Sequence, residues 1–255
     1  MTAFLRGCVR ALDAERLKLR RTLALRMAVV TPAVVVALCV LQLGLADAGS
    51  NQSDPKMAWR AFAGASFAVW AFLMLPLFVT LEAALLAGIE HGDRQWKHLL
   101  ALPLPRSAHY VAKWVALVAL LVGASLAFVV LIALGGWVLM HAHPKSGLAG
   151  WPPWGWLLRR CLGMVAAALL MATIQLWVSL RWSSFTVAVA AGMAATVAGF
   201  MIGQSRWGHL YPWSMPVQLF TRHGDHAAFA MAASAAAAAL VLALAVWHLT
   251  RRELD

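Results

Sequence analysis

Six apolar runs of about 20 residues or more, each with few charged side chains or none, are spread along the 255-residue chain. A helix of that length spans about 30 Å, which is the thickness of the hydrocarbon core of a bilayer. The chain is also 62% hydrophobic and only 12% charged, unlike a soluble domain. We therefore expect six membrane crossings, at residues 27–46, 61–89, 112–140, 156–180, 184–204 and 227–249.

The crossings should be helices. In lipid, backbone polar groups must be satisfied within the protein, which only helices and closed barrels achieve. The six runs lack the alternating pattern of about ten residues that is typical of barrel strands. The sequence thus predicts an all-α, polytopic membrane protein, with residues 1–255 forming a single transmembrane domain and leaving no room for a large soluble one.

The N-terminal residues 2–22 are predicted to form an amphipathic helix lying on the membrane surface. At 100° per residue, one face is apolar and the opposite face is charged. The apolar face comprises Phe4, Leu5, Cys8, Leu12 and Leu19, and the charged face comprises Arg6, Arg10, Asp13, Arg16 and Arg20. Because no clear cleavage site follows, we interpret residues 27–46 as an uncleaved first crossing.

The distribution of Lys and Arg predicts the orientation. With a cytoplasmic N-terminus, 14 of the 21 basic residues lie on the inner side and 7 on the outer side. This asymmetry predicts that both termini are cytoplasmic, in a multi-pass protein of the bacterial inner membrane. The net charge of +11 is explained by topology and lipid contact, so we expect no nucleic-acid partner.

Few polar groups interrupt the apolar runs. Glu82 is the only acid within them, and a buried carboxyl usually faces a cavity or a partner such as Arg94 or Lys97. Gln42, Gln175 and Glu82 are the predicted polar groups of a substrate path. Gly199 and Gly203 form a G-x-x-x-G pattern that predicts close helix packing, here assigned to a dimer contact.

The connection at residues 90–110, between the second and third crossings, combines charges, an aromatic residue and prolines. Asp93 is a suitable N-cap for a short helix, which has to end before Pro103. Lying along the membrane surface, such a helix would present Trp96 to an apolar cleft and its basic side chains to acids. This is the geometry expected of a cytoplasmic docking element.

The residues of this connection resemble the corresponding segment of permease subunits in the ABC-2 exporter superfamily. The similar positions are Leu81-Glu82, Glu90 through Lys97-His98-Leu99, Leu102-Pro103, Arg106 and Ala112-Lys113, together with Ala14 to Arg21 before the first crossing. The chain looks most like the bacitracin-resistance and lantibiotic-immunity branch of that superfamily.

The resemblance implies an ATP-driven exporter subunit for an amphipathic or hydrophobic substrate, such as an antimicrobial peptide or toxin. It implies a second permease copy or paralogue and a dimer of cytoplasmic ABC ATPase subunits. ATP and Mg would be bound by that partner, with no cofactor on this chain. The coupling helix would present Glu90, Asp93, Arg94, Trp96, Lys97, His98, Pro103 and Arg106 to the ATPase. The short outer loops favour extrusion or immunity over peptide sensing.

Other activities find little support. No lysine follows a glycine, which excludes a Walker A motif, and the serine and histidine contexts lack intramembrane protease signatures, so we expect no enzymatic activity. Three separated cysteines suggest no disulfide framework, and the outer histidines lack the ligands of an evident metal site. The remaining alternative is a proton-coupled secondary transporter that uses Glu82.

Overall fold

The computed structural model describes residues 2–19, 22–45, 54–92, 106–220 and 226–251. Within these ranges the chain forms helices and turns, with no β-strand. Six helical segments are long and apolar enough to cross a membrane. The predicted all-α, polytopic fold with six membrane-crossing helices is therefore confirmed.

The elements follow one another in a simple order. Helix α1 (Thr2–Leu19) precedes α2 (Leu23–Leu45), the first crossing. The second crossing consists of α3 (Pro55–Val69), a π-helical turn (Trp70–Met74) and α4 (Leu75–Gly92). The other crossings are α5 (Arg106–Ala142), α6 (Trp154–Arg181), α7 (Phe185–Gly203) and α8 (Ala227–Arg251). Two short 3₁₀ segments, Gly208–Leu210 and Met215–Leu219, connect α7 to α8.

Local sequence explains where two of the crossings begin. Asp54 caps α3 by accepting a hydrogen bond from the amide of Lys56 at 2.9 Å, and Pro55 occupies the first helical position. Ser184 caps α7 by accepting from the amide of Val187 at 3.4 Å. Polar caps are needed here because the first amides of a helix have no partner within it.

The π-helical turn in the second crossing is explained by Pro76, the second residue of α4. Proline has no amide hydrogen and cannot continue an α-helical ladder. The chain widens just before it, where the amide of Leu75 donates to the carbonyl of Trp70, five residues earlier. The widened turn places Trp70 in the core, stacked on Phe128 of α5 with ring centroids 5.0 Å apart.

The core lies between α3, α4, α5 and α6. About two thirds of the membrane-crossing part of α6 is buried, compared with 22% for each of α2, α7 and α8. Gly136 permits the close packing of α5 on α3, because a Cβ at this position would lie 2.3 Å from the ring of Trp59. The outer helices α2, α7 and α8 therefore expose broad apolar faces around a packed centre.

Helices α4 and α5 extend further than the apolar runs indicated. The predicted connection began at residue 90 and ended at 110, whereas α4 continues to Gly92 and α5 begins at Arg106. Hydropathy marks the part of a helix that lies in hydrocarbon, and a helix can continue into the polar interface beyond it. The intervening residues 93–105 lie outside the described ranges.

Because the six crossings alternate in direction, several helix ends meet on one side of the membrane. We call this side the α1 end. It comprises α1, the starts of α2, α5 and α7, and the ends of α4, α6 and α8. The buried polar contacts described next lie at this end.

Candidate functional site at the α1 end

Lys113, in the second turn of α5, joins three helices at a buried polar contact that we call the Lys113 junction. Its side chain is 1% exposed. The ammonium Nζ donates to the backbone carbonyl of Leu86 in α4 at 3.0 Å, and lies 3.5 Å from both carboxylate oxygens of Glu15 in α1. A buried ammonium requires such partners, so α1, α4 and α5 are held together at this point.

Glu15 is also buried, although it belongs to a predicted surface helix. Only 5% of the residue is exposed, and its Oε1 also lies 3.3 Å from Nζ of Lys18 one turn later. Ala11, one turn before Glu15, is buried too, whereas Leu17 is 67% exposed. Helix α1 therefore packs against the bundle along an Ala11–Glu15 stripe, a contact that its amphipathic pattern did not reveal.

Two more hydrogen bonds connect neighbouring helices at this end. The indole Nε1 of Trp114 in α5 donates to Oγ1 of Thr173 in α6 at 2.9 Å. The amide Nε2 of Gln175 in α6 donates to the carbonyl of Ala188 in α7 at 2.8 Å. Together with the Lys113 junction, they form a series of polar contacts from α1 through α5 and α6 to α7.

Glu82 is fully buried in α4, one turn before Leu86. Among the described residues, neither of its carboxylate oxygens has a hydrogen-bond partner. Burial of an ionisable group without a partner is costly and is unusual in a purely structural position. The predicted partners Arg94 and Lys97 lie outside the described residues.

The three predicted polar groups of a substrate path occupy different environments. Glu82 and Gln175 are buried, and Gln175 is already bonded to the backbone of α7. Gln42 is exposed near the far end of α2, on the side opposite the α1 end. The structure thus places Gln42 away from the other two, and a shared path remains a prediction.

The predicted packing glycines contact a loop of their own chain. A Cβ added to Gly199 would lie 3.0 Å from Cβ of Trp213, and one added to Gly203 would lie 3.3 Å from Cβ of Ser214. The close approach that G-x-x-x-G permits is therefore used here within the chain, by the segment between α7 and α8. A contact between two copies at this position stays a prediction.

The predicted ATPase-facing residues mostly fall outside the described part of the chain. Glu90 lies in the last turn of α4, and Arg106 is the first residue of α5. The others, Asp93, Arg94, Trp96, Lys97, His98 and Pro103, belong to residues 93–105. Helices α4 and α5, which border that segment, are two of the three helices that meet at Lys113.

The Lys113 junction was missed by sequence reasoning, yet a signal was present. Lys113 is the one lysine within the third apolar run, 112–140, and an ionisable residue in such a run generally needs an internal partner. Glu15 is one of only two acids before the first crossing. The pairing itself joins residues 98 positions apart, and no local periodicity specifies contacts over that distance.

Six crossing helices and a polar network at one end of the bundle define a multi-pass membrane protein. Residues 11–199, about three quarters of the chain, match the family model described as ABC-2 family transporter protein. The chain belongs to this family, and it is accordingly a membrane permease component of an ABC transporter, a class that works with an ABC ATPase subunit. No curated protein matches the chain.

The matched region contains the Lys113 junction, Glu82 and Gln175, and it ends at Gly199. The resemblance noted in the sequence is thus confirmed at the level of the ABC-2 family. The match does not distinguish the bacitracin-resistance and lantibiotic-immunity branch from other branches.

Proposed function

We propose that this chain is the transmembrane half of an ATP-driven exporter of amphipathic or hydrophobic substrates, antimicrobial peptides or toxins being the favoured class. It acts in the bacterial inner membrane, with both termini cytoplasmic, beside a second permease copy or a paralogue. A dimer of ATPase subunits binds ATP and Mg, and this chain binds no cofactor. The function is resistance or immunity by efflux.

The observation that carries the proposal is the position of the Lys113 junction. It joins the two helices that flank residues 93–105, the segment proposed to dock the ATPase, and attaches both to α1. Displacement of that segment would act on three helices at once. ATP-dependent closure of the partner then needs to bias the helix packing by only a few kcal/mol.

Co-purification with the candidate ATPase, the product of a neighbouring gene carrying G-x-x-x-x-G-K-[ST], tests the docking role. We expect the double variant Trp96→Ala, Lys97→Glu to recover at least about tenfold less ATPase, because a contact worth about 1.4 kcal/mol or more is lost. The matched control is Trp137→Ala, Lys145→Glu, whose two exposed positions lie at the opposite end of the bundle. Equal ATPase recovery by the two double variants would contradict docking at residues 93–105.

The orientation has its own test. A reporter domain fused after Asp255 should be accessible from the cytoplasmic side in inverted vesicles and protected in intact cells. Protection in inverted vesicles would place the α1 end, and with it the proposed ATPase contact, on the wrong side of the membrane.

One observation favours a second candidate function. The buried Glu82 carboxyl, without a hydrogen-bond partner among the residues described, suits a proton-coupled secondary transporter. That function predicts substrate transport by the isolated chain in liposomes, driven by a pH gradient and abolished by Glu82→Gln. Transport that requires the ATPase and ATP, with or without Glu82, would exclude it.

A further inference from the structure

A groove of about 480 Å³ opens beside the Lys113 junction, between α1, the first turn of α2 and the first half of α5. Each of the three helices gives it an apolar wall, which includes Leu12 on α1, Leu25 on α2 and Ala119 on α5. Helix α1 is a predicted surface helix, whereas α2 and α5 are long and apolar enough to cross the membrane. The groove therefore lies where the hydrocarbon layer meets the headgroup layer, and its ligand has to suit both.

Three charged side chains, all from α1, also line the groove: Asp13, Glu15 and Arg16. Glu15 is buried, and its carboxylate lies within 3.5 Å of the ammonium groups of Lys18 and Lys113. Asp13 and Arg16 are exposed, and neither has an ion-pair or hydrogen-bond partner among the described residues. The lining therefore offers a ligand one carboxylate and one guanidinium.

The spacing of these two side chains limits the ligand further. Asp13 and Arg16 are three positions apart, so they lie on the same face of α1 with Cβ atoms about 5–6 Å apart. A head with only negative charge would leave Asp13 beside a like charge, and a head with only positive charge would do so to Arg16. The groove thus favours a zwitterionic head on an apolar body.

We propose that the groove binds phosphatidylethanolamine from the leaflet at the α1 end. The phosphate accepts hydrogen bonds from the guanidinium of Arg16, and the primary ammonium donates to the carboxylate of Asp13. One acyl chain lies along Leu12 and Ala119, in a cavity whose volume is within the usual range for small-molecule sites. Because the lipid contacts α1 and α5 together, its binding stabilises the packing of α1 on the bundle.

The two charges distinguish phosphatidylethanolamine from other common phospholipids. Phosphatidylglycerol has the phosphate but no cation, so it would leave Asp13 without a partner. Phosphatidylcholine has both charges, but its trimethylated nitrogen has no N–H to donate to a carboxylate. Phosphatidylethanolamine is the one of the three that can form a charge-assisted hydrogen bond with each side chain.

Native mass spectrometry of the purified full-length chain tests the proposal. The three lipids, with identical acyl chains, are titrated separately, and the dissociation constant of the first bound lipid is measured. We expect the value for phosphatidylethanolamine to be at least about fivefold lower than that for either other lipid. Equal dissociation constants, a preference for phosphatidylglycerol or an absence of bound lipid would each overturn the proposal.

Variants of the two charged residues assign their roles. Asp13→Asn should raise the dissociation constant of phosphatidylethanolamine about fivefold and abolish its advantage over phosphatidylglycerol, whereas Asp13→Glu should keep that advantage. Arg16→Gln should raise the dissociation constants of all three lipids by a similar factor, because each lipid carries the phosphate. A preference for phosphatidylethanolamine that survives Asp13→Asn would overturn the assignment.

A further variant and two controls test the position of the acyl chain. Ala119→Trp fills the groove from an exposed position and should weaken all three lipids at least about tenfold. Leu126→Trp enlarges an exposed residue two turns further along the same face of α5, and Arg159→Gln removes an exposed arginine at the opposite end of the bundle. Both controls should bind lipid as the wild type does. Wild-type binding by Ala119→Trp, or equal losses in the controls, would overturn the assignment to this groove.

Discussion

Replacing Lys113 by methionine removes the charge from the Lys113 junction while keeping the length of the side chain. Glu15, which is 5% exposed, would then keep its contact to Lys18 among the described residues, and the carbonyl of Leu86 would lose the hydrogen bond from Lys113. Loss of one partner from a buried ion pair costs about 3–5 kcal/mol. Because the two ammonium–carboxylate distances are 3.5 Å rather than shorter, we expect about 3 kcal/mol.

The thermal unfolding midpoint in mild detergent measures this effect. For a chain of about 250 residues, 3 kcal/mol corresponds to a decrease of about 6–12 °C. Glu15→Gln should cost less, about 1–3 kcal/mol, because the neutral amide can still accept a hydrogen bond from Lys113. The double variant Glu15→Gln, Lys113→Met should be less destabilised than the sum of the two single variants, since the charges interact directly.

Lys18→Met is the matched control, because it removes the other lysine that contacts the same carboxylate. The Lys18 side chain is 25% exposed, and solvent-screened pairs of this kind contribute about 0–1 kcal/mol. The reasoning would be refuted if Lys113→Met and Lys18→Met lowered the midpoint equally. Strictly additive effects of Glu15→Gln and Lys113→Met would also refute it, because they would show that α1 is not held by this pair.

Three further changes test other contacts. Gly192→Ala should lower the free energy of unfolding by about 1–3 kcal/mol in a thermal unfolding assay, because the added Cβ would lie 2.2 Å from Oγ1 of Thr80. The control is Gly88→Ala, whose added Cβ would have no atom within 4 Å, and it should leave the free energy of unfolding unchanged or slightly higher. Glu82→Gln should leave the unfolding midpoint unchanged or raise it, since it removes a buried carboxyl that has no hydrogen-bond partner among the described residues; a clear decrease would indicate a charged partner. Burial raises the pKa of the Tyr211 phenol above its ordinary value of about 10. The ultraviolet absorbance of ionised tyrosine is therefore measured against pH for the wild type and for Tyr211→Phe, and the difference between the two curves should have its midpoint above that value. The stability linked to this group is then present below the unfolded-state pKa and is lost as the pH rises through the folded-state pKa.

The fold was predictable because membrane crossing depends on hydrophobicity averaged over about 20 residues, a property of the sequence alone. The ends of helices were less predictable. From hydropathy, the second crossing was predicted to end at residue 89 and the third to begin at residue 112. In the structure, α4 continues to Gly92 and α5 begins at Arg106. Helical hydrogen bonding continues in the polar interface, where the hydrophobic signal has already stopped.

The polar contacts at the α1 end were even harder to predict from the sequence than the helix ends. Glu82 and Gln175 stood out because polar residues are rare in apolar runs, but their environments are set by tertiary packing. Glu15 belongs to a charged amphipathic helix, where an acid is expected to face water. Its burial depends on Lys113, a residue on another helix, and a pairing of this kind is a property of the packed bundle.

The Lys113 junction limits how a displacement of the end of α4 or the start of α5 could spread through the bundle. Residues 93–105 connect α4 to α5, and both helices are bonded at Lys113, together with α1. Such a displacement would move the three helices as a unit or break a contact of Lys113, and separating Glu15 from Lys113 costs about 3 kcal/mol. A bias of this size is comparable to what a binding partner supplies in a two-state transition. In the proposed ATP-driven mechanism, helix α1 would therefore move together with α4 and α5.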